Sequence, residues 1–108
     1  MSIEYKEARL SYYGVRHMRN KVRIYFGAYK FSGSIEFYPK NAEVPQSIVT
    51  SKDPFRFALH WESDRYPEVI GTLRHENNVR VMVSWDTNNN SIVDYYMDAG
   101  SAIFPDTD

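Results

Sequence analysis

With 108 residues the chain is expected to form one domain, 1–108, of the commonest size and large enough to bury a working core. It contains no cysteine and no apolar run near the roughly 18 residues that a membrane span requires, which excludes a disulfide framework, a thiolate metal site and a transmembrane helix. Aromatic residues make up 16% of the chain, nine of them Tyr, which favours the half-buried surface of a β-sheet, and a net charge of −1 argues against a general nucleic-acid binder.

The opening segment MSIEYKEARL mixes two acids with two bases where a secretory leader needs a basic end followed by an apolar block, so the expected location is the cytoplasm. Ile3 and Tyr5 are out of phase with Ala8, Leu10 and Tyr12, which predicts a bulge near Lys6-Glu7 or two short strands. Val22, Ile24 and Phe26 then alternate, and Tyr29, Phe31, Ile35 and Phe37 alternate in the opposite phase. A two-residue type II′ turn at Gly27-Ala28 reconciles the phases. It pairs Phe26 with Tyr29 and Ile24 with Phe31, and sets Arg19 near Glu36 and Tyr25 near Lys30. The connection 39–54 is the one long loop, with Pro45 placed to open a short helix.

From 55 to 97 apolar and polar residues alternate almost continuously, and four consecutive antiparallel strands are expected. Phe55, Phe57, Leu59 and Trp61 share a face, as do Val69, Gly71 and Leu73, and then Val79, Val81, Val83 and Trp85. A three-residue loop Glu76-Asn77-Asn78, with Asn78 in the left-handed region, pairs Leu73 with Val81 and Gly71 with Val83. A five-residue loop at 86–90 pairs Val83 with Val93, Val81 with Tyr95 and Val79 with Met97. The resulting fold class is all-β, with seven or eight mostly antiparallel up-and-down strands forming a small barrel or a two-layer sandwich.

No motif points to catalysis: there is no Gly-rich phosphate loop, nucleophile elbow or HExxH pattern, so a non-enzyme without a cofactor is expected. The stretch Asp86-Thr87-Asn88-Asn89-Asn90 has oxygen ligands at alternate positions like the start of a calcium loop. It then offers Ser91 where a glycine is needed and Met97 where a bidentate acid is needed. His60 and His75 fall on opposite faces of the expected meander, leaving no metal centre with His17.

The informative signal is charge segregation. Residues 1–40 hold eight bases and three acids, a balance of +5, whereas 41–108 hold five bases and eleven acids, a balance of −6. From Asp86 onward there are five aspartates and no base, a one-signed field suited to a basic partner. If Val93, Tyr95 and Met97 face the core, then Asp94, Tyr96 and Asp98 face outward beside Asp86. An acid-Tyr-acid stripe combines large contact area with attraction for a cation, which suits a protein-binding surface. The leading expectation is a protein-interaction module, of the inhibitor or immunity type, that blocks a basic partner such as a nucleic-acid-binding protein.

Two further readings compete. One is a ligand barrel lined by Phe57, Trp61, Leu73, Val81, Val83, Trp85 and Tyr95. The other is single-stranded nucleic-acid binding, or a second interface, through 12–25. There Arg16, His17, Arg19, Lys21 and Arg23 supply positive charge, and Tyr12, Tyr13 and Tyr25 offer stacking surfaces. The chain's overall acidity works against nucleic acid. Outward aromatics such as Tyr25 and Tyr38, or an unpaired edge, equally suit a homodimer.

Overall fold

The computed structural model describes residues 2–76 and 78–99. Asn77, in the middle of the expected 76–78 loop, lies outside the described residues, as do Asp106 and Asp108. The elements are β1 (Ile3–Arg9), β2 (Tyr12–His17), β3 (Val22–Ala28), β4 (Phe31–Tyr38), β5 (Ile48–Lys52), β6 (Phe55–Glu62), β7 (Val79–Asp86) and β8 (Ile92–Ala99). One helix, α1 (Tyr66–His75), is entered through a 3-10 turn at Ser63–Arg65.

The eight strands form two layers instead of a closed barrel: a five-stranded sheet in the order β2-β3-β4-β6-β5 and a three-stranded sheet in the order β1-β7-β8. Their facing sides share one core. Ile24, Phe26, Ile35, Phe37, Phe57 and Leu59 come from the larger sheet and Val79, Val81, Val83 and Trp85 from the smaller. Phe55 meets Trp85 with ring centroids 5.0 Å apart, and Trp61 meets Tyr95 at 4.6 Å. The side chains expected to line a ligand cavity therefore fill the interior.

Topology departs from a simple meander in both sheets: in the small one β1 pairs with the distant β7, and in the large one the order is broken after β4. The chain leaves β4, crosses over one strand position, comes down the sheet edge as β5, and returns as β6 in the gap. As a result β6 pairs parallel with β4, Ile35 opposite Leu59 and Phe37 opposite Trp61, and antiparallel with β5. The segment 39–54 thus holds a short edge strand, with only Val49 fully in the core, where a helix was expected.

The helix lies instead at 66–75, where a strand was expected. Val69, Ile70 and Leu73 are all buried. Spacings of one and four residues make a single stripe on a helix, whereas a strand would turn Ile70 to the opposite side from its neighbours. Pro67 in the first turn is tolerated because helix-initial N–H groups lack intrahelical acceptors, and Glu68 at the start with Arg74 and His75 at the end complement the helix dipole. The expected pairs of Leu73 with Val81 and Gly71 with Val83 are absent; β7 pairs with β1 and β8. Asn78 does adopt a left-handed conformation, at φ 57°.

Other differences are shifts of register. The β3–β4 turn falls at Tyr29-Lys30, with Lys30 at φ 55°, so Ile24 pairs with Ile35 and Phe26 with Gly33. Tyr29 is consequently exposed at the tip, and Tyr25 stands opposite Ser34, not near Lys30. In the β7–β8 pair Val83 opposes Tyr95 and Val81 opposes Met97, with an irregularity after Ser84 that leaves Val93 without a partner and outside the core. Both shifts move the pairing by an even number of residues along most of each strand, so the face of nearly every side chain is retained.

The expected break at Lys6-Glu7 is also absent. β1 runs straight along β7, and the phases differ because Ile3 and Tyr5 are exposed on its outward side while Ala8 faces the core. The segment does form two short strands, but the division falls at Leu10-Ser11, where the chain passes from the small sheet to the large one. On its core-facing side β1 carries Glu4, Lys6 and Ala8, opposite Trp85, Val83 and Val81. Glu4 and Lys6 remain exposed at that edge.

Two glycines test this arrangement. Gly71 has no atom within 4 Å of an added Cβ, so Gly71→Ala is expected to raise stability in urea unfolding by about 0.5–1 kcal/mol, the ordinary gain from Ala in a helix. At Gly33 the same Cβ would lie 2.2 Å from the Phe57 ring, so Gly33→Ala is expected to cost about 1–3 kcal/mol.

Candidate functional site

Each sheet presents one face away from the shared core, and these two outer faces differ in character. On the small sheet the outward positions form rows across three strands: Tyr5, Ser84 and Asp94; Glu7, Met82 and Tyr96; Arg9, Arg80 and Asp98. Asp94, Tyr96 and Asp98 are exposed. The Tyr96 hydroxyl reaches over Met82 to hydrogen-bond the Glu7 carboxylate, which pushes the phenol pKa upward and keeps the proton on the ring oxygen. Tyr5 is 70% exposed and Tyr96 41%, so two rings stand open on this face, one on each flanking strand, with Met82 on the strand between them. Asp94 and Glu7 lie toward one end and Arg9 with Arg80 toward the other.

Beside this face runs a groove of about 400 Å3 between α1 and β8, bordered by Glu68, Val69 and Thr72 on the helix and Asp94, Tyr96 and Met97 on the strand. At its base the Arg65 guanidinium stacks 4.1 Å from the Trp61 ring centre and hydrogen-bonds the Tyr95 hydroxyl. Asp86 belongs elsewhere: its carboxylate accepts the Asn88 N–H at 2.9 Å and shapes the hairpin loop. Asn89 does the same for Ser91 at 2.9 Å. Of the alternate oxygens in the calcium-like run, that of Asp86 thus holds backbone.

On the large sheet the outward side centres on a buried carboxylate. Glu36 in β4 accepts hydrogen bonds from Lys21 Nζ at 3.0 Å, Arg23 Nε at 2.9 Å and Tyr38 Oη at 2.9 Å. Burial alone would raise its pKa, but the donors from Arg23, Lys21 and Tyr38 outweigh that and hold the carboxyl at about 2. His60 Nδ1 lies 3.1 Å from the Tyr38 oxygen. With the one Tyr38 proton directed at Glu36, His60 donates to the Tyr38 oxygen from Nδ1. Burial lowers the His60 pKa, and Lys21 and Arg23 add to this against the opposing pull of Glu36. The cluster is a fully occupied network that fixes side chains; its carboxylate is too firmly ionised to exchange protons near neutrality.

The basic segment 12–25 is divided by the pleat. Arg16, Arg23 and Tyr25 face outward with Tyr12, while Tyr13, Val15 and His17 alternate to the core-facing side, opposite Phe26, Ile24 and Val22. Arg19 lies in the β2–β3 connection, and Arg23 with Lys21 takes the place expected for it beside Glu36. Tyr38 is half-buried in the same network, which removes it as an outward contact for a second copy. Among the described residues no group of three or more His, Asp or Glu side chains is arranged to hold a metal ion. The sequence missed Tyr5, Glu7 and Met82, because only the pairing of β1 with β7 brings them beside Tyr96.

Comparison of the chain with protein-family models, curated proteins and solved structures found no match.

Within the network Glu36 and His60 have lowered pKa values, so these two groups favour the folded state at higher pH. Stability is expected to fall as pH drops below the ordinary His value near 6.5, and again from about 4.5 toward about 2 as Glu36 is protonated. The second stage should be on the order of 2 kcal/mol. Urea midpoints measured across this range should lose the lower stage in Glu36→Gln and the upper one in His60→Gln; an intact lower stage in Glu36→Gln would remove the assignment.

Proposed function

We propose that this chain is a non-enzymatic protein-interaction module of the cytoplasm, a stoichiometric inhibitor or immunity-type protein that blocks a basic partner with the outer face of its small sheet. The observation that carries this reading is that Tyr5, Met82 and Tyr96 share one open face with Glu7, Asp94 and Asp98 interspersed among them. Apolar and aromatic contact area combined with charge suits a specific interface, with the rings supplying affinity and the charges orientation.

The charge is unevenly spread, which adds direction to the contact. A lysine or arginine of the partner would enter the α1–β8 groove between Glu68 and Asp94, where the resident Arg65 is already held by Trp61 and Tyr95. The opposite end, with Arg9 and Arg80 beside Asp98, would favour an acidic group. A partner docked the wrong way round would place like charges together at both ends.

Affinity capture from the native host, read by quantitative mass spectrometry, is expected to recover a basic protein with the wild-type chain. Tyr96→Ala and the pair Asp94→Asn with Asp98→Asn should weaken its binding about thirtyfold while melting like wild type. Undiminished capture by these folded variants would sink the proposal.

A further inference from the structure

The large sheet has its own outward surface, and two tyrosines on it are arranged in an unusual way. Tyr12 in β2 stands opposite Gly27 in β3, and Tyr25 in β3 stands opposite Gly14 in β2. Each ring leans across to the other strand and covers the glycine there. A Cβ added at Gly14 would lie 2.3 Å from the Tyr25 Cζ and Oη, and one at Gly27 would lie 2.6 Å from the Tyr12 Oη. At Gly27 the Phe31 carbonyl oxygen, 2.5 Å from the same Cβ, closes the site from the backbone side as well. The two tyrosines are diagonal neighbours on adjacent strands, a relation that spaces backbone positions by about 7–8 Å. Despite their contact with the sheet, Tyr12 remains 48% exposed and Tyr25 42%.

Next to the rings the sheet surface drops into a trough of about 300 Å3, with Ser32, Ser34 and Ala58 along its floor and Thr50 and Arg56 on its far side. The depth comes from residue size: the rows running away from the tyrosines are Gly27, Ser32 and Arg56, and then Ser34 and Ala58. Charge on this face is positive. Arg16, Lys21, Arg23 and Arg56 oppose Glu36 and Glu62, and Glu36 is already matched by Lys21 and Arg23. Arg16 and Arg56 form no ion pair among the described residues. Arg16 sits directly across from Arg23, whose guanidinium is turned to Glu36, which leaves Arg16 as the cation of that row without an ion pair among the described residues.

We propose that this face binds single-stranded nucleic acid, with unpaired bases stacked on Tyr12 and Tyr25 and backbone phosphates met by Arg16 and Arg56. Stacking faces and flanking cations on an open sheet are what a single strand needs, since its bases are free to lie flat. A duplex keeps its bases stacked on each other and would gain only the charge contacts. An acidic peptide would likewise use the arginines and leave the rings idle. The surface lies on the opposite side of the core from the proposed protein interface, so this inference stands or falls independently of that one.

The test is fluorescence anisotropy of the full chain with a labelled thymidine oligonucleotide of about 12 nucleotides, beside a duplex of equal length and a polyglutamate peptide. The single strand should bind at least about tenfold more tightly than either control. Tyr12→Leu and Tyr25→Leu keep an apolar cover over each glycine but remove the aromatic face, and each should weaken binding about tenfold. Arg16→Gln and Arg56→Gln, at exposed positions that leave the core untouched, should each reduce the slope of log affinity against log salt by about 0.7. Absence of binding at about 20 mM salt overturns the proposal, as does equal binding of the duplex or the peptide, or wild-type affinity in folded Leu variants. If the Leu variants fail to fold, an unchanged salt slope in the Arg variants overturns it instead.

Discussion

The parallel pairing of β4 with β6 is the constraint on which both outer faces depend. It stacks Phe37 against Trp61 and Ile35 against Leu59 on the core side, and with the same stroke sets Glu36 beside His60 and Ser34 beside Ala58 on the other. A parallel ladder cannot be made by a tight hairpin, so the chain must cross over and come back. β5 serves as that return. Its own contribution to the core is little more than Val49, but without it β6 would enter the gap from the wrong end.

Burying Glu36 in the middle of this ladder is costly unless its charge is matched, and the matching side chains come from one direction. Lys21 and Arg23 flank the start of β3, and Tyr38 follows two residues along β4. The network therefore couples the β2–β3 connection to the centre of the sheet. That tie determines which cations on the face are consumed internally and which, like Arg16 and Arg56, form no ion pair among the described residues. Substituting the buried carboxylate removes the internal partner of two bases as well as a structural anchor, and so changes the charge of the whole surface.

Strands with one buried face were legible from alternation alone: 55–61 and 79–85 carry their core residues at every second position, as period-two burial demands. The outward placement of Asp94, Tyr96 and Asp98 was legible for the same reason, since displacement of a register by two residues leaves faces unchanged. At 66–75 the pattern misled because Val69, Gly71 and Leu73 mimic a strand; Ile70 was the contrary signal. What sequence order could not convey was pairing between distant segments. β1 and β7 are separated by most of the chain, so the meeting of Glu7 with Tyr96 had no local signature. The parallel ladder was hidden likewise, because β5 is short and half-exposed. In the basic segment the residue types were visible, but the pleat distributed them between two sides, and the neighbours that complete the face, Tyr12's Gly27 and the distant Arg56, belong to other strands.

The charged underside of β1 bears on how this protein behaves at high concentration. An edge strand with free backbone groups is an invitation to continue the sheet through a second molecule. Here any chain that lined up along β1 would have to cover Glu4 and Lys6 on the side where the next layer of core would form, stripping both of water with no apolar neighbours to justify it. The edge is thus guarded by two side chains that make no contribution to the core. The same strand can remain almost wholly exposed while staying in register because its hold on the molecule is the β7 ladder, and the two charges on its core side disfavour continuation of the sheet.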